Sequence, residues 1–167
     1  MSHFIRRAGI ATAGLLICAA ASAAATATAT ATATVSFIAP EKMSDVPRFR
    51  SDLESMEMVF REHIEELASK LPAGQRLTVE FLDIDLAGDV FPRVAVRDIR
   101  VMKGMADWPR MHLRYSIEQD GAVLRSGDRE LADPNYLMGS STFRNEIYAH
   151  EKKLLDDWFK KDVLTPR

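Results

Sequence analysis

The chain has 167 residues, with 22 Lys and Arg against 24 Asp and Glu and a formal net charge of −2. Its length suits one domain, and its slight acidity disfavours a protein that grips nucleic acid through basic charge. Cys18 is the only cysteine.

The first 23 residues read as a secretory signal. Arg6 and Arg7 form a basic start. Ala8–Ala21 is a small-residue and apolar stretch containing Leu15, Leu16 and Ile17, and Ala21-Ser22-Ala23 is an A-x-A cleavage pattern. The apolar run is too short for a membrane anchor and has no stop-transfer flank, so no transmembrane helix is expected in the mature form. A lipoprotein signal needs a small residue before the cysteine. Ile17 stands there, so lipidation at Cys18 is not expected. Cleavage near Ala23 would take the net charge from −2 to −4 and leave no cysteine for disulfide or thiolate chemistry.

Residues 24–34 are an Ala/Thr run that reads as a flexible leader, its distal end available to a first strand. Val35–Ile38 is that short strand. A polar loop containing Pro47 leads to a helix expected from Ser51, where Ser51 and Glu54 have capping-box spacing. Leu53, Met56, Phe60, Ile64, Leu67 and Leu71 recur every three or four residues and mark its buried face. His63 lies beside that face and reads as a partly packed surface residue. Pro72-Ala73-Gly74 ends the helix.

Gln75–Asp89 follows as the central strand. Residues of equal parity share a face of a strand. Leu77, Val79 and Phe81 are odd, whereas Leu82, Ile84 and Leu86 are even, so the apolar face changes sides. Either a β-bulge near Phe81–Leu82 turns Asp83 and Asp85 to solvent, or a straight strand leaves both on the face that began as core. The bulge is the favoured arrangement.

A third strand is expected over Val94–Met102, with its Asp98–Met102 half better marked. Lys103–Pro109 is a turn. The fourth strand alternates cleanly: Met111, Leu113, Tyr115 and Ile117 on one face, Arg110, His112, Arg114 and Ser116 on the other. Asp120-Gly121 marks a tight hairpin into a fifth strand, Ala122–Leu131, where Gly127 suggests a bulge. Ser140 or Ser141 can cap a last helix that carries Phe143, Ile147, Leu154 and Trp158 and ends near Asp162. The resulting class is α+β: a twisted, mixed but mostly antiparallel five-stranded sheet with two helices on one face, in the order β-α-β-β-β-β-α. The domain spans residues 35–162, and residues 163–167 form a tail.

Several strings resemble a known family: Phe37–Glu41, Leu71–Leu77, Asp83–Gly88, Arg100-Val101, Asp107–Arg110 and Asn135–Leu137. Together they resemble the exported proteobacterial family catalogued as domain of unknown function 3016, over about residues 33–160. The resemblance implies the envelope of a Gram-negative bacterium, hence a periplasmic location. It carries no activity and no catalytic residues.

Asp83, Asp85 and Asp89 are the candidate metal ligands, for calcium or a similar hard cation. Three acids do not supply the six to eight oxygens calcium takes, and the rest of an EF-hand loop is missing. Ion pairs with Arg100, Arg110 or Arg114 are the ordinary alternative. Acid–base work by the same aspartates lacks the aromatic-lined cleft of a polysaccharide hydrolase. No G-x-S-x-G, zinc-ligand spacing or glycine-rich phosphate loop occurs. No cofactor and no catalytic residue is therefore expected. Asp107, Trp108, Arg110, His112 and Arg114 are the candidate binding residues, since Trp and Arg are frequent interface anchors. Trp108 folded back as a lid on the core is the competing placement. The expectation is a non-enzymatic module that binds an envelope protein or other envelope component through an open sheet face.

Overall fold

A computed structural model describes residues 30–91, 99–104, 106–138, 143 and 145–165. The order is β1 (Thr32–Phe37), a short 3-10 turn (Pro40–Lys42), α1 (Arg50–Ala68), β2 (Gln75–Asp85), β3 (Asp89–Phe91), β4 (Ile99–Val101), β5 (Arg110–Gln119), β6 (Ala122–Ala132) and α2 (Ala149–Trp158). A π-helical turn, Phe159–Leu164, extends α2.

Four strands form the main sheet in the order β1-β2-β5-β6, and β3 pairs with β4 in a separate two-stranded ribbon. β1 and β2 are parallel, as a strand–helix–strand crossover requires, and the other pairs are antiparallel. The α+β class and the β-α-β…β-α order hold, with two corrections: Asp89–Phe91 is a strand beyond the five expected, and the strands do not form one five-stranded sheet. β4, the described part of the expected third strand, pairs outside the main sheet with β3, which follows a turn at Gly88. Gly88 has φ +80°, and a Cβ there would lie 2.7 Å from the Val101 carbonyl oxygen. Only glycine makes that turn without strain, and the three residues after it pair with β4 alone. Residues 94–98, the first part of the expected third strand, lie outside the described residues.

Both helices cover one face of the main sheet. Met56, Phe60, Ile64 and Leu67 from α1 join Leu154, Leu155 and Trp158 from α2 over Val35, Val79, Phe81, Leu113 and Tyr115. Phe81 is fully buried. It stacks on Phe37 at 5.0 Å and meets Phe60 at 6.1 Å, so one side chain joins β1, β2 and α1. Burying one such side chain contributes roughly 1.5–3 kcal/mol.

Several local expectations change. α1 begins at Arg50 after an extended Phe49 and has no side-chain cap. Ser51 is thus already inside the first turn, where its hydroxyl cannot reach back to cap. It contacts Asp52 instead, and Glu54 pairs with Arg50 at 2.8 Å. His63 is 4% exposed, because α2 lies against it. Its Nε2 stands 3.0 Å from Asp156 Oδ1, near enough for an ion contact but not aligned for a hydrogen bond. Burial lowers the His63 pKa, with Asp156 opposing.

Asp120 and Gly121 both have positive φ, as a two-residue primed hairpin turn needs. The irregularity of β6 sits at Leu124, between the pairs Glu118–Val123 and Ile117–Arg125, and not at Gly127. Gly127 lies in register opposite Tyr115, and a Cβ there would stand 2.8 Å from the Tyr115 ring. It is a site of close approach. The last helix starts at Ala149, after a left-handed Tyr148, so Phe143 and Ile147 precede it. Ser140 and Ser141, the expected caps, lie outside the described residues.

Gly127→Ala should destabilise the protein by about 1–3 kcal/mol, because Tyr115 is buried and its ring cannot move aside freely. Ser126→Ala, its exposed neighbour, should stay within about 0.5 kcal/mol. Urea unfolding of the two variants gives the comparison.

Candidate functional site

The arrangement of polar groups follows from one backbone irregularity. β2 and β5 pair Phe81 with Leu113, and the next pair is Asp83 with His112. Leu82 is the extra residue of a bulge. Before it, Leu77, Val79 and Phe81 face the core; after it, Ile84 does. The bulge therefore carries Asp83 and Asp85 to the outer face, opposite His112 and Arg110.

That outer face forms rows across the strands. Ser36, Glu80, Arg114 and Asp128 occupy one row, with Thr34, Thr78, Ser116 and Ser126 beside it. Asp83, His112 and Glu130 follow on the other side, then Asp85, Arg110 and Ala132. Arg114 reaches Glu80 at 3.2 Å and lies 3.8 Å from Asp128. His112 Nε2 meets Asp128 at 2.6 Å, and Arg110 pairs with Asp85 at 2.7 Å. The Arg110 guanidinium also lies over the Trp108 ring, 4.6 Å from its centre. Such exposed pairs are each worth about 0–1 kcal/mol, so folding alone does not demand them.

The sequence candidates divide accordingly. Arg110, His112 and Arg114 share the outer face, and Trp108 stands beside Arg110. Trp108 is half-buried and lies outside the buried core. Asp107 turns elsewhere: its carboxylate accepts the Lys103 N–H at 2.6 Å, and its carbonyl accepts the Gly88 N–H at 2.8 Å. The three aspartates also have separate partners. Asp83 accepts hydrogen bonds from the N–H and hydroxyl of Ser44, both at 2.7 Å. Asp85 takes Arg110, and Asp89 takes Lys103. Among the described residues, no group of three or more His, Cys, Asp or Glu is placed to hold a metal ion.

A second polar cluster holds the end of β2. Arg100 Nη1 donates to the carbonyls of Leu86, Ala87 and Gly88 at 3.2, 3.2 and 2.7 Å, and the guanidinium clasps both Asp45 oxygens at 2.7 and 3.2 Å. From the other side, Glu151 Oε1 accepts the Ala87 N–H at 2.7 Å. Glu151 is 3% exposed. Burial pushes its carboxyl up from the ordinary value, with the Ala87 N–H opposing. The sequence carried a signal for Glu151: it falls on the same helical face as Leu154, Leu155 and Trp158. Arg100, expected to pair with Asp83, Asp85 or Asp89, takes instead Asp45, remote from it in sequence, and the carbonyls of the Gly88 turn. Tyr136 is buried nearby, its hydroxyl 3.3 Å from the Gly104 N–H and its ring edge-on to His150 at 4.7 Å.

These features define an α+β module, with helices over one side of a sheet and a charged ladder on the other. The family model described as Protein of unknown function (DUF3016) matches residues 31–161, and the chain belongs to that family. No curated protein and no solved structure matches the chain. Four of the strings that carried the resemblance meet at one end of the sheet: Asp83–Gly88, Arg100-Val101, Asp107–Arg110 and Asn135–Leu137.

Arg100→Ala should cost about 2–4 kcal/mol, between the loss of an exposed pair and of a fully buried one, whereas Arg114→Ala should cost less than about 1 kcal/mol. Denaturant unfolding measures both. Glu151 should also give stability a pH signature. A carboxyl whose folded pKa is raised stabilises fully below its unfolded value, about 4.3, and loses that contribution as pH rises through the folded value. Glu151→Gln, which keeps an acceptor for Ala87, should therefore match the wild type near pH 4 and exceed it increasingly towards pH 8. Melting temperatures across that range test this; parallel curves would contradict it.

Proposed function

We propose that this protein is an exported, non-catalytic binding module of the bacterial envelope, working in the periplasm and taking an envelope protein or other envelope component on the outer face of its sheet. The observation that carries this reading is the outer face itself. Among the described residues no element covers it, and it displays Arg110, His112 and Arg114 with Trp108 at its end. Its ion pairs add little to stability, so charged groups there are available for exchange with a partner. Arg and Trp side by side supply a stacking surface and a fork of donors, the combination that anchors many interfaces.

Export rests on the basic start, apolar stretch and Ala21-Ser22-Ala23 pattern of the first 23 residues. In keeping with it, no helix among the described residues is long and apolar enough to cross a membrane. The competing reading, a cation on Asp83, Asp85 and Asp89, asks three carboxylates to leave Ser44, Arg110 and Lys103.

Capture from an envelope extract tests the main reading. The wild-type protein should retain a component that Trp108→Ala and Arg110→Ala both lose, with melting temperatures preserved. Capture unaffected by both substitutions would move the binding surface elsewhere. In the same melting assay, a stabilisation by millimolar calcium that Asp85→Asn abolishes would favour the cation instead.

A further inference from the structure

β6 is an edge strand. β5 pairs along one side of it, and among the described residues no strand pairs along the other. The irregularity at Leu124 interrupts its start, and from Arg125 to Ala132 it runs in unbroken register with β5. Such an edge presents backbone donors and acceptors that a further strand can take. Val123 and Leu124, 60% and 55% exposed, add apolar surface at its start. One carbonyl of the run, that of Asp128, accepts the Arg129 side chain at 2.8 Å. The opposite edge, β1, is shorter. Arg61 of α1 occupies it, donating to the Val35 carbonyl at 2.7 Å with its guanidinium over the Phe37 ring.

Charge limits which strand can lie on β6. Antiparallel registers of two β6 strands centred on Gly127, Asp128 or Arg129 set Arg125 against Arg129, Asp128 against Asp128 or Arg129 against Arg129. Like charges directly opposite destabilise a pair. A strand without charge avoids this, and the chain carries one: from Ala25 to Thr34 it alternates Ala and Thr. β1 shows what that alternation does in a sheet. Thr32 and Thr34 are exposed, while Ala31 and Ala33 pack against the core. Continued on β6, it would set threonines beside Ser126 and Asp128 and small alanines on the side where Arg125 and Arg129 reach Asp162.

The run also starts in the right place. Ala24–Ala29 lies outside the described residues. β1 and β6 point the same way, so the chain preceding β1 leaves at the end of the sheet where β6 begins. Six residues extend about 20 Å. Reaching the β6 of the same copy means crossing three strand spacings, about 14 Å, which leaves too few residues to pair. A second copy imposes no such crossing.

We propose that Ala24–Ala29 of one copy adds as a strand to the Arg125–Ala132 edge of another. Each copy then offers one donor segment and one acceptor edge, a heterologous contact that joins copies head to tail. The edge is separate from the corner at Trp108 and Arg110, so the inference does not depend on the outer-face reading.

The test uses the chain from Ala24 to Arg167, the form that cleavage after Ala23 leaves, which contains no cysteine. Thr28→Cys then supplies the single site for a nitroxide spin label, and the labelled protein is mixed with a nitrogen-15 copy lacking the label. Expected is concentration-dependent broadening of the nitrogen-15 amides centred on Arg125–Ala132, with a sedimenting mass that rises with concentration. Thr26→Pro combined with Thr28→Pro, both ahead of β1, removes donors from the added strand. It should weaken association roughly tenfold or more and leave the melting temperature of the monomer unchanged. A monomer at every concentration up to millimolar, broadening centred on β1 or on Trp108 and Arg110, or association undiminished by the two prolines would each overturn the proposal.

Discussion

The fold depends on how the chain ends β2 and still satisfies its backbone. At Leu86–Gly88 the strand stops beneath α2, where water does not reach the peptide groups: Leu86, Ala87 and Gly88 are all buried. Buried amides and carbonyls need partners. Glu151 takes the Ala87 N–H, and Arg100 takes three carbonyls in succession. Each partner comes from a different element, so the same contacts fix α2, the β3–β4 ribbon and, through Asp45, the loop before α1 against one turn. A charged residue on the apolar face of a helix would ordinarily count against its packing. Here it supplies the acceptor for the Ala87 N–H.

The bulge at Leu82 has the second structural consequence. A strand that passes from one packing neighbour to another has to change the parity of its apolar residues or break its pairing. One extra residue achieves the change with the β5 ladder nearly intact. The inner face gains Ile84 in continuation of Phe81, and the outer face gains Asp83 and Asp85 in continuation of Glu80. Burial and display are thus produced by the same local event. The sheet is left with one side whose side chains hold the fold and another whose side chains are largely free of that duty. The proposed binding by the Trp108–Arg110 corner belongs to the second side for that reason.

Much of this was legible from residue order because it follows from local periodicity. The buried stripe of α1, the alternation of β5, the Asp120-Gly121 turn and the switch of parity in β2 all arise from neighbours a few residues apart. The Arg110–Asp85 pair was also within reach, since a strand pattern and a bulge together place those two residues on one face. The elements that escaped are those set by distant contacts. His63 looked superficial because the helix that buries it lies almost a hundred residues away in sequence. Gly127 looked like a bulge because the Tyr115 ring above it is supplied by another strand.

By itself, the sequence determined the α+β class, the β-α-β…β-α order, the inner faces of β2 and β5, and the family strings. Each is encoded by spacing, and spacing survives without a third dimension. Only the tertiary structure decided that the third strand leaves the sheet, that Arg100 and Glu151 close on one turn, that Asp83, Asp85 and Asp89 take three unrelated partners, and that a row of hydroxyls lies between two charged rows. Those outcomes depend on register between strands and on which element covers which. Register is set jointly by both partners of a pair and so cannot be read from either one alone.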